Sequence, residues 1–153
     1  MLATTCLNSH ATWLVAWMKF RLEIVTPERL VYSDQVDGIT IPTLDGEIGI
    51  LAHHMPLVSI IAPGEIKVRK NEEVQYIAIS GGFVKVVPAG VTILADTAEH
   101  AEEIDIERAA RARERAEKFM KERKDDRLIH TEAVAALERA LARIKVARRK
   151  IKK

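Results

Sequence analysis

Residues 37–51, DGITIPTLDGEIGIL, hold the pattern that decides the fold of this chain. Ile39 and Ile41 stand two residues apart, and Ile48 and Ile50 repeat that spacing after the turn signal Asp45-Gly46. Successive side chains of a β-strand point to opposite faces, so a spacing of two places each isoleucine pair on one face. The stretch therefore predicts two short strands separated by a tight turn.

The same period of two extends outward from this stretch, over residues 18 to about 97. Turn signals such as Pro63-Gly64 and Gly81-Gly82 separate the runs, which argues for an antiparallel sandwich or barrel and against βαβ units. We expect eight to ten strands, built on the alternating sets Phe20, Leu22, Ile24; Ile66, Val68; Ile77, Ile79; and Val91, Ile93, Ala95.

The sequence changes character after Ala98. Residues 105–121, DIERAARARERAEKFMK, are rich in Ala, Arg and Glu and lack Gly and Pro, which predicts a helix with Asp105 as its N-cap. A polar break, ERKDDRLIH, precedes a second predicted helix from about residue 131 to 150, with Thr131 as its cap.

Both helices carry apolar residues at spacings of three and four, as expected for two helices that pack side by side. The two seams are Ala109, Ala112, Ala116, Phe119 and Ala133, Leu137, Ala140, Ile144, Ala147, Ile151, the second widened by Val134 and Leu141. The predicted fold class is β + α: an antiparallel β-sandwich over residues 18–100, then an antiparallel two-helix hairpin over residues 101–153.

The predicted hairpin has little to hold it together. Its seams consist largely of alanine, which buries little apolar area, and isolated short helices are marginal in water. We therefore expect the hairpin to dock on another surface, and an element able to dock in more than one place is suited to a conformational switch.

Residues 1–17 are expected to be an extension outside the fold. The apolar run at 11–18, ATWLVAWM, is too short to span a membrane, and no basic residue precedes it as in a secretory signal. A membrane-surface anchor is the alternative for this run. The single Cys6 excludes an internal disulfide and fits a reducing compartment.

Charge is divided unevenly along the chain. Up to residue 100 there are 7 basic against 11 acidic residues, and from residue 101 onward there are 17 against 11. A basic C-terminal part indicates an anionic partner, such as a nucleotide, nucleic acid, lipid or acidic protein surface.

These motifs together resemble those of the epsilon subunits of bacterial ATP synthases. The resemblance runs from Met18 to about Ala147 and rests on VYSDQVDGITIPTLDGEIGILAHHMPLV, YIAISGGFVKV and VTILADTAEHAEEID, followed by a charged helical hairpin. It implies a non-catalytic rotor subunit of a proton-translocating ATP synthase, peripheral to the cytoplasmic face of a bacterial plasma membrane. The implied partners are the gamma subunit, the alpha and beta subunits and the rotor ring of c subunits.

The resemblance also implies a role for the loop at residues 45–58, as a surface that contacts other subunits. Glu47 and His54 are expected at a contact with the gamma subunit or the rotor ring. The family usually has Pro and then Gly or Asn before its histidine, whereas Ala52 and His53 stand there in this chain. Adjacent histidines on a strand point to opposite sides and make poor metal co-ligands, so we predict neither a metal site nor a catalytic site here.

A second motif, Ile104-Asp105-Ile106-Glu107-Arg108-Ala109, matches the signature of epsilon subunits that bind ATP in the folded-down hairpin. The resemblance implies ATP as a regulatory ligand, with or without Mg²⁺, and no catalytic cofactor. Glu99, Ile104 and Asp105 would lie near the base and ribose, and four arginines near the phosphates: Arg108, Arg115, Arg139 and Arg143. The alternative is that Asp105 only caps its helix and the arginines form a solvated face with pairs such as Glu107–Arg111.

The basic tail at residues 143–153, RIKVARRKIKK, has two interpretations. It is either a solvated helix end whose cations complement the helix dipole, or, as the resemblance implies, the part that engages an acidic loop of the beta subunit and inhibits ATP hydrolysis.

Two other functions remain open from the residues alone. A basic helical hairpin on a β-sandwich is compatible with a nucleic-acid-binding module, although the basic residues are interleaved with acids and only 5% of the chain is aromatic. A cupin-like enzyme would need clustered histidines, and the five histidines are scattered: His10, His53, His54, His100 and His130.

Overall fold

The computed structural model describes residues 18–122 and 127–150. The predicted N-terminal extension, Ile151 of the helical seam and the last three residues of the basic tail lie outside the described residues. The described part contains ten strands: β1 Phe20–Val25, β2 Leu30–Val36, β3 Gly38–Thr43, β4 Gly46–Leu51, β5 Leu57–Ile61, β6 Gly64–Lys70, β7 Glu73–Ile79, β8 Gly82–Val87, β9 Gly90–Ala95 and β10 Ala98–His100.

The ten strands form one hydrogen-bonded sheet folded into a sandwich. The order along the sheet is β10-β7-β6-β3-β5-β8-β9-β1-β2, and β4 pairs with β3 beside this path. Near the end of the path β2 also contacts β6, so the two layers come close to closing into a barrel. The predicted sandwich of about ten strands is confirmed, with one pair, β1 and β9, running parallel where the rest are antiparallel.

Residues 38–51 form the β-hairpin of β3 and β4. Ile41 pairs with Ile48 and Ile39 with Ile50, across a turn in which Gly46 has φ +128°. The Thr43 hydroxyl donates a 2.7 Å hydrogen bond to the carbonyl oxygen of Gly46 and closes the turn. The strands are therefore joined at the predicted turn.

The core of the sandwich consists of the inward-facing residues of every long strand. Its largest fully buried side chains are those of Leu22, Ile24, Val36, Ile41, Ile50, Ile66, Val68, Ile77, Ile79, Val84 and Ile93. Nearly all of them belong to the predicted period-two sets or to residues 37–51, because successive side chains of a strand point to opposite faces of the sheet and only one face is buried. The sandwich thus has a core of its own, independent of the helices.

Two helices follow the sheet: α1 Ile106–Glu122 and α2 Arg127–Lys150, which pack against each other. The N-cap prediction for α1 is confirmed, because the Asp105 carboxylate accepts a 2.9 Å hydrogen bond from the Arg108 backbone N–H. The cap prediction for α2 is wrong. Thr131 lies in the first turns of a helix that already begins at Arg127, because residues 127–130, predicted as the end of the polar break, are helical; residues 123–126 of that break lie outside the described residues.

The seam between the helices is narrower than predicted. Small residues fill it, with Ala109, Ala116, Ala133 and Ala140 all buried. Phe119, predicted as a member of the first seam, and Leu141, predicted to widen the second, are instead 53% and 44% exposed. Alanine seams let two helices approach closely, and the larger side chains at the edges of such a seam are left facing solvent.

Candidate functional site

The surface where α2 meets the sandwich is the first candidate site. Val146 and Ala147 are 0% and 2% exposed and pack with Ala78 of β7 and with Ile104, just before α1. Tyr76 and Ala101 border this cluster. The apolar contact holding the hairpin to the sheet is therefore only a few side chains wide.

Glu99 and Arg143, both predicted to lie near a nucleotide, meet directly at the edge of this contact. Arg143 donates from Nε and Nη2 to Oε1 of Glu99, at 2.9 and 2.7 Å. The two side chains are 30% and 32% exposed, so water partly screens the pair. This ion pair ties α2 to β10, and it already uses two guanidinium donors of Arg143.

Glu65 of β6 forms a second ion-pair cluster with α2, in which the carboxylate is more buried than that of Glu99 but the cations are more exposed than Arg143. Its side chain is 9% exposed, and its carboxylate lies 3.3 Å from Arg149 Nη2 and 3.7 Å from Lys145 Nζ. The Arg149 guanidinium also lies 4.9 Å from the centre of the Tyr76 ring, within range of a cation–π interaction. Hydrogen bonding to Glu65, together with its charge, raises the pKa of Arg149, so the cation is held in its charged form.

The other predicted nucleotide-binding residues are spread over the hairpin. Ile104 is buried in the docking cluster, 9% exposed, where it packs against α2. Arg108 and Arg115 are exposed on α1, and Arg139 is half-buried on α2. Arg115 donates from Nε to the carbonyl of Arg111 at 3.3 Å and lines an open cleft of about 360 Å³ with Arg111, Glu114 and Lys118.

Direct contacts join the predicted set in two separate pairs, Glu99 with Arg143 and Asp105 with the Arg108 backbone. Among the residues that the structure describes, no hydrogen bond or ion pair joins one pair to the other. The alternative pair Glu107–Arg111 is present at 3.5 Å and is largely exposed, as expected for a solvated helix face.

A short segment between β10 and α1 joins the two parts of the molecule, and Glu103 fixes it. Arg29 Nη2, from the loop between β1 and β2, donates to Glu103 at 2.8 Å, and the His100 backbone N–H donates to the same carboxylate at 3.3 Å. The Arg29 hydrogen bond lowers the pKa of Glu103 below its ordinary value. The start of the hairpin is thus attached to the sandwich by exposed polar contacts.

The second candidate site is the loop that carries Glu47 and His54. Glu47 is exposed on β4, and His54 donates its backbone N–H to Leu51 at 3.2 Å, closing a four-residue turn. His53 occupies the third turn position with φ +61°, a conformation that favours Gly or Asn. Gly or Asn, which tolerate a positive φ, are the residues that the resemblance leads one to expect there, so His53 holds a strained backbone conformation in this turn.

A row of exposed apolar side chains runs across the outer face of β5, β8 and β9. Ile60 pairs with Phe83, and Phe83 pairs with Leu94, so the three side chains are cross-strand neighbours. They are 49%, 55% and 56% exposed, and we call them the apolar strip. A contiguous exposed apolar patch of this kind is typical of a protein contact surface.

Sequence reasoning missed both Glu65 and the apolar strip. Glu65 precedes the alternating pair Ile66 and Val68, which assigns it to the polar outer face without showing that a helix covers it. Phe83 carried a detectable signal, because it is a large aromatic at a position that the alternation assigns to the outer face of β8. Neither the opposing strand nor the docked helix can be read from local spacing.

Two negative findings limit the chemistry of the described residues. Residues 18–122 and 127–150 contain no group of three or more His, Cys, Asp or Glu side chains arranged to hold a metal ion. Within the same ranges, neither helix has the length and apolar character needed to cross a membrane.

Comparison with known proteins gives a consistent result over most of the chain. Residues 19–101 match the family model described as the beta-sandwich domain of the ATP synthase Delta/Epsilon chain, and residues 102–148 match its long alpha-helix domain. The ATP synthase epsilon chain of Syntrophobacter fumaroxidans is 51% identical over 129 residues, which cover 84% of this chain and 96% of the relative. That of Herpetosiphon aurantiacus is 47% identical over 131 residues, or 86% and 96% of the two chains.

A solved structure agrees with these relatives. A chain in the cryo-EM structure of the Euglena gracilis mitochondrial ATP synthase, in its OSCP/F1/c-ring assembly, superimposes with a TM-score of 0.73 at 30% identity. The match covers 84% of this chain and 81% of that one.

Proposed function

The chain belongs to the ATP synthase delta/epsilon family as an epsilon chain, and from this premise we propose that its hairpin restrains ATP hydrolysis by the rotary enzyme while its β-sandwich is anchored in the rotor. An epsilon chain is a non-catalytic subunit of the ATP synthase, so the protein is not an enzyme on its own. Its part in ATP synthesis is therefore mechanical and regulatory.

The apolar strip supports the proposed contact with the gamma subunit. Ile60, Phe83 and Leu94 expose apolar area on the rigid face of a sheet, where burial of the row against a partner is favourable. Glu47 and His54 lie in the β4 strand and the turn that follows it, and we assign them to the contact with the gamma subunit or the c ring. The alpha and beta subunits are then within reach of the hairpin, not of the sandwich.

The proposal that the hairpin inhibits ATP hydrolysis rests mainly on the small and largely polar contact between α2 and the β-sandwich. Val146 and Ala147 supply its buried centre, and ion pairs to Glu65 and Glu99 supply its rim. The Glu99–Arg143 pair, whose side chains are 32% and 30% exposed, contributes little net stability, because water replaces the partner when the two separate. A helix held in this way can leave the sandwich without unfolding the sandwich core.

A released hairpin presents a cationic helix end to its surroundings. Lys145, Arg148 and Arg149 occupy one stretch of α2, and we propose that they then engage an acidic loop of the catalytic beta subunit and oppose rotation in the hydrolytic direction. The docked and released states exchange as a population shift, so whatever binds one state preferentially sets the degree of inhibition.

The test compares two chains in a reconstituted ATPase core that contains gamma. Residues 18–153 are expected to lower the rate of ATP hydrolysis, and residues 18–103, which lack the hairpin but keep the sandwich core, are expected to bind without lowering it. Binding of both chains is checked by co-purification with the core. Equal hydrolysis rates with both bound chains would contradict the braking role.

We further propose ATP as the ligand that favours the docked state. Arginine suits phosphate because its planar fork of donors matches phosphate oxygens, and Arg108, Arg115, Arg139 and Arg143 supply four such groups on the hairpin. Arg143 already gives two donors to Glu99, so a phosphate has to share or replace that partner. The four guanidinium groups are therefore chemically suited to bind the phosphates of ATP. The Glu99–Arg143 ion pair competes with that binding.

Calorimetric titration of the isolated chain with MgATP tests this ligand. Arg108→Ala and Arg143→Ala are each expected to weaken binding by roughly 1–3 kcal/mol, the value of a hydrogen bond to a charged group. Glu72→Ala, in the exposed turn between β6 and β7, is the control and should leave the affinity unchanged. Unaltered affinity in both arginine variants would refute the assigned site, and a parent chain that fails to bind would remove ATP from the account while leaving the brake in place.

The proposed location follows from the complex. As a rotor subunit the chain lies at the cytoplasmic face of a bacterial plasma membrane, attached through gamma and the c ring.

A further inference from the structure

We propose that Glu65 is the anionic receptor of a latch that holds α2 on the sandwich by binding cations that the brake needs. The latch consists of Glu65, Lys145 and Arg149. Its closed form is a property of the isolated chain, whereas its consequence for hydrolysis rests on the function proposed above.

Glu65 lies in the place that such a receptor requires. It pairs across the sheet with Ala78, and Ala78 belongs to the apolar cluster on which Val146 and Ala147 dock. The Glu65 carboxylate is therefore next to the dry centre of the contact, with only 9% of its side chain exposed. A carboxylate removed from water to this extent needs compensating cations or hydrogen bonds, because burial disfavours the charged form.

The spacing of the cations matches this receptor. Lys145 and Arg149 are four residues apart, so they lie on one face of α2, one helical turn from each other. Both reach the same carboxylate oxygen, at 3.7 and 3.3 Å, while Arg149 Nε also donates to the other oxygen at 3.3 Å. Val146 and Ala147 lie between them in sequence and are buried at the same time, so apolar docking and ion pairing occur together.

Tyr76 completes the latch on the sheet side. Its ring lies under the Arg149 guanidinium and borders the apolar cluster. The guanidinium carbon lies 4.9 Å from the ring centre while Nε and Nη2 both donate to Glu65, and the single ammonium of a lysine at position 149 would not reproduce this arrangement. The latch is thus specific for arginine at its outer end.

The latch makes docking and braking compete for the same cations. While Glu65 binds Lys145 and Arg149, whose side chains are 55% and 42% exposed, an acidic surface elsewhere has to displace this carboxylate from them. When an acidic partner binds them, Glu65 is left without its cations in a position next to apolar side chains, and the docked state loses its compensation. The sandwich therefore competes with the proposed beta-subunit contact for the same two side chains.

The closed latch is tested by thiol labelling of the full chain. Ala147→Cys, in a Cys6→Ser background, places a thiol in the buried centre of the contact, where a neutral alkylating reagent reaches it only after α2 leaves the sheet. The labelling rate, divided by the rate in the denatured chain, then measures the undocked fraction. We expect Glu65→Gln to raise this ratio about 5- to 30-fold. Glu72→Gln, in the exposed turn between β6 and β7, is expected to leave this ratio unchanged.

A double-mutant cycle shows whether the effect comes from the pairing itself. Arg149→Gln alone should raise labelling to a similar extent, and the Glu65→Gln/Arg149→Gln pair should raise it by clearly less than the product of the single effects. If Glu65→Gln labels at the parent rate, or if the effects of the two substitutions multiply without coupling, the latch is refuted. Arg149→Lys should restore only part of the protection that Arg149→Gln removes, because lysine keeps the charge but loses the paired Nε and Nη2 donors to Glu65.

The consequence for hydrolysis is measured separately in the reconstituted core. Glu65→Gln is expected to increase inhibition of ATP hydrolysis, because it frees Lys145 and Arg149. Arg149→Gln also undocks α2, but it is expected to reduce the inhibition, because it removes one of the cations that the proposed beta-subunit contact needs. If labelling shows the latch but neither variant changes hydrolysis, the latch stands and the braking role fails. If labelling shows no latch, the proposal fails whatever the hydrolysis rates are.

Discussion

Gly82 of β8 pairs with Ala95 of β9, and only a residue without a side chain fits there. A Cβ at this position would stand 2.1 Å from the Leu94 carbonyl oxygen and 2.9 Å from the Ala95 Cα. The backbone also has φ +136°, which L side chains rarely adopt. The glycine thus permits the strand pairing that carries Phe83 and Leu94 of the apolar strip.

Gly82→Ala is expected to destabilise the sandwich by about 3 kcal/mol, through backbone clash and strain. The matched control is Gly49→Ala in β4, where an added Cβ meets nothing within 4 Å, and its effect should stay within about 1 kcal/mol. Urea unfolding followed by circular dichroism measures both. Similar stability in the two variants would contradict the close approach of β8 and β9.

At the scale of single residues, the sequence shows which positions form turns and helix caps, but not which other residues they contact. Gly81-Gly82 stands out as a turn signal, and Asp105 as a helix cap, because each depends on residues nearby in the chain. That a Cβ at residue 82 meets Leu94 depends on the register between β8 and β9, which local spacing does not show. The same is true of Glu65, whose cationic partners are about 80 residues away.

At the scale of elements, the two helices differ from the strands in what holds them. Strand positions follow from alternation, because a two-sided sheet buries every second residue. The helical seams were only partly predictable, since Phe119 and Leu141 have the right spacing but face solvent. Spacing alone does not show that α2 has a second contact, through Val146 and Ala147, with the sandwich.

Val146→Ala tests the docking of α2 on the β-sandwich. Val146 is 0% exposed in the contact with the sheet, and loss of two buried methyl groups is expected to weaken docking by about 1–2 kcal/mol. The core of the sandwich contains none of the affected contacts, so its unfolding midpoint should not move. Hydrogen exchange of α2 amides measures the first effect and denaturant unfolding of the strands measures the second.

Leu141→Ala is the control on the same helix, because that side chain is 44% exposed. It should leave the docking unchanged. If Leu141→Ala weakens docking as much as Val146→Ala does, the assigned contact face of α2 is wrong.

At the scale of the whole molecule, a sandwich with its own core carries a hairpin attached by a few apolar side chains and two ion-pair clusters. The two-part fold and the family were predictable from sequence, because alternation, helix composition and motifs such as GEIGIL are local signals. The way the hairpin is attached was not, because Glu65–Arg149 and Glu99–Arg143 join residues distant in the chain. The nucleic-acid interpretation is superseded by family membership, which accounts for the basic hairpin within the ATP synthase.

The central claim is that the docked hairpin is a separate unit of low stability. Hydrogen exchange of the full chain, measured amide by amide with and without MgATP, tests it most directly. The account predicts that α1 and α2 exchange orders of magnitude faster than the buried amides of β6 to β9. It also predicts that MgATP slows exchange in the helices alone. Helices protected as strongly as those strands, with no response to nucleotide, would contradict the account and leave the hairpin as a rigid part of the rotor.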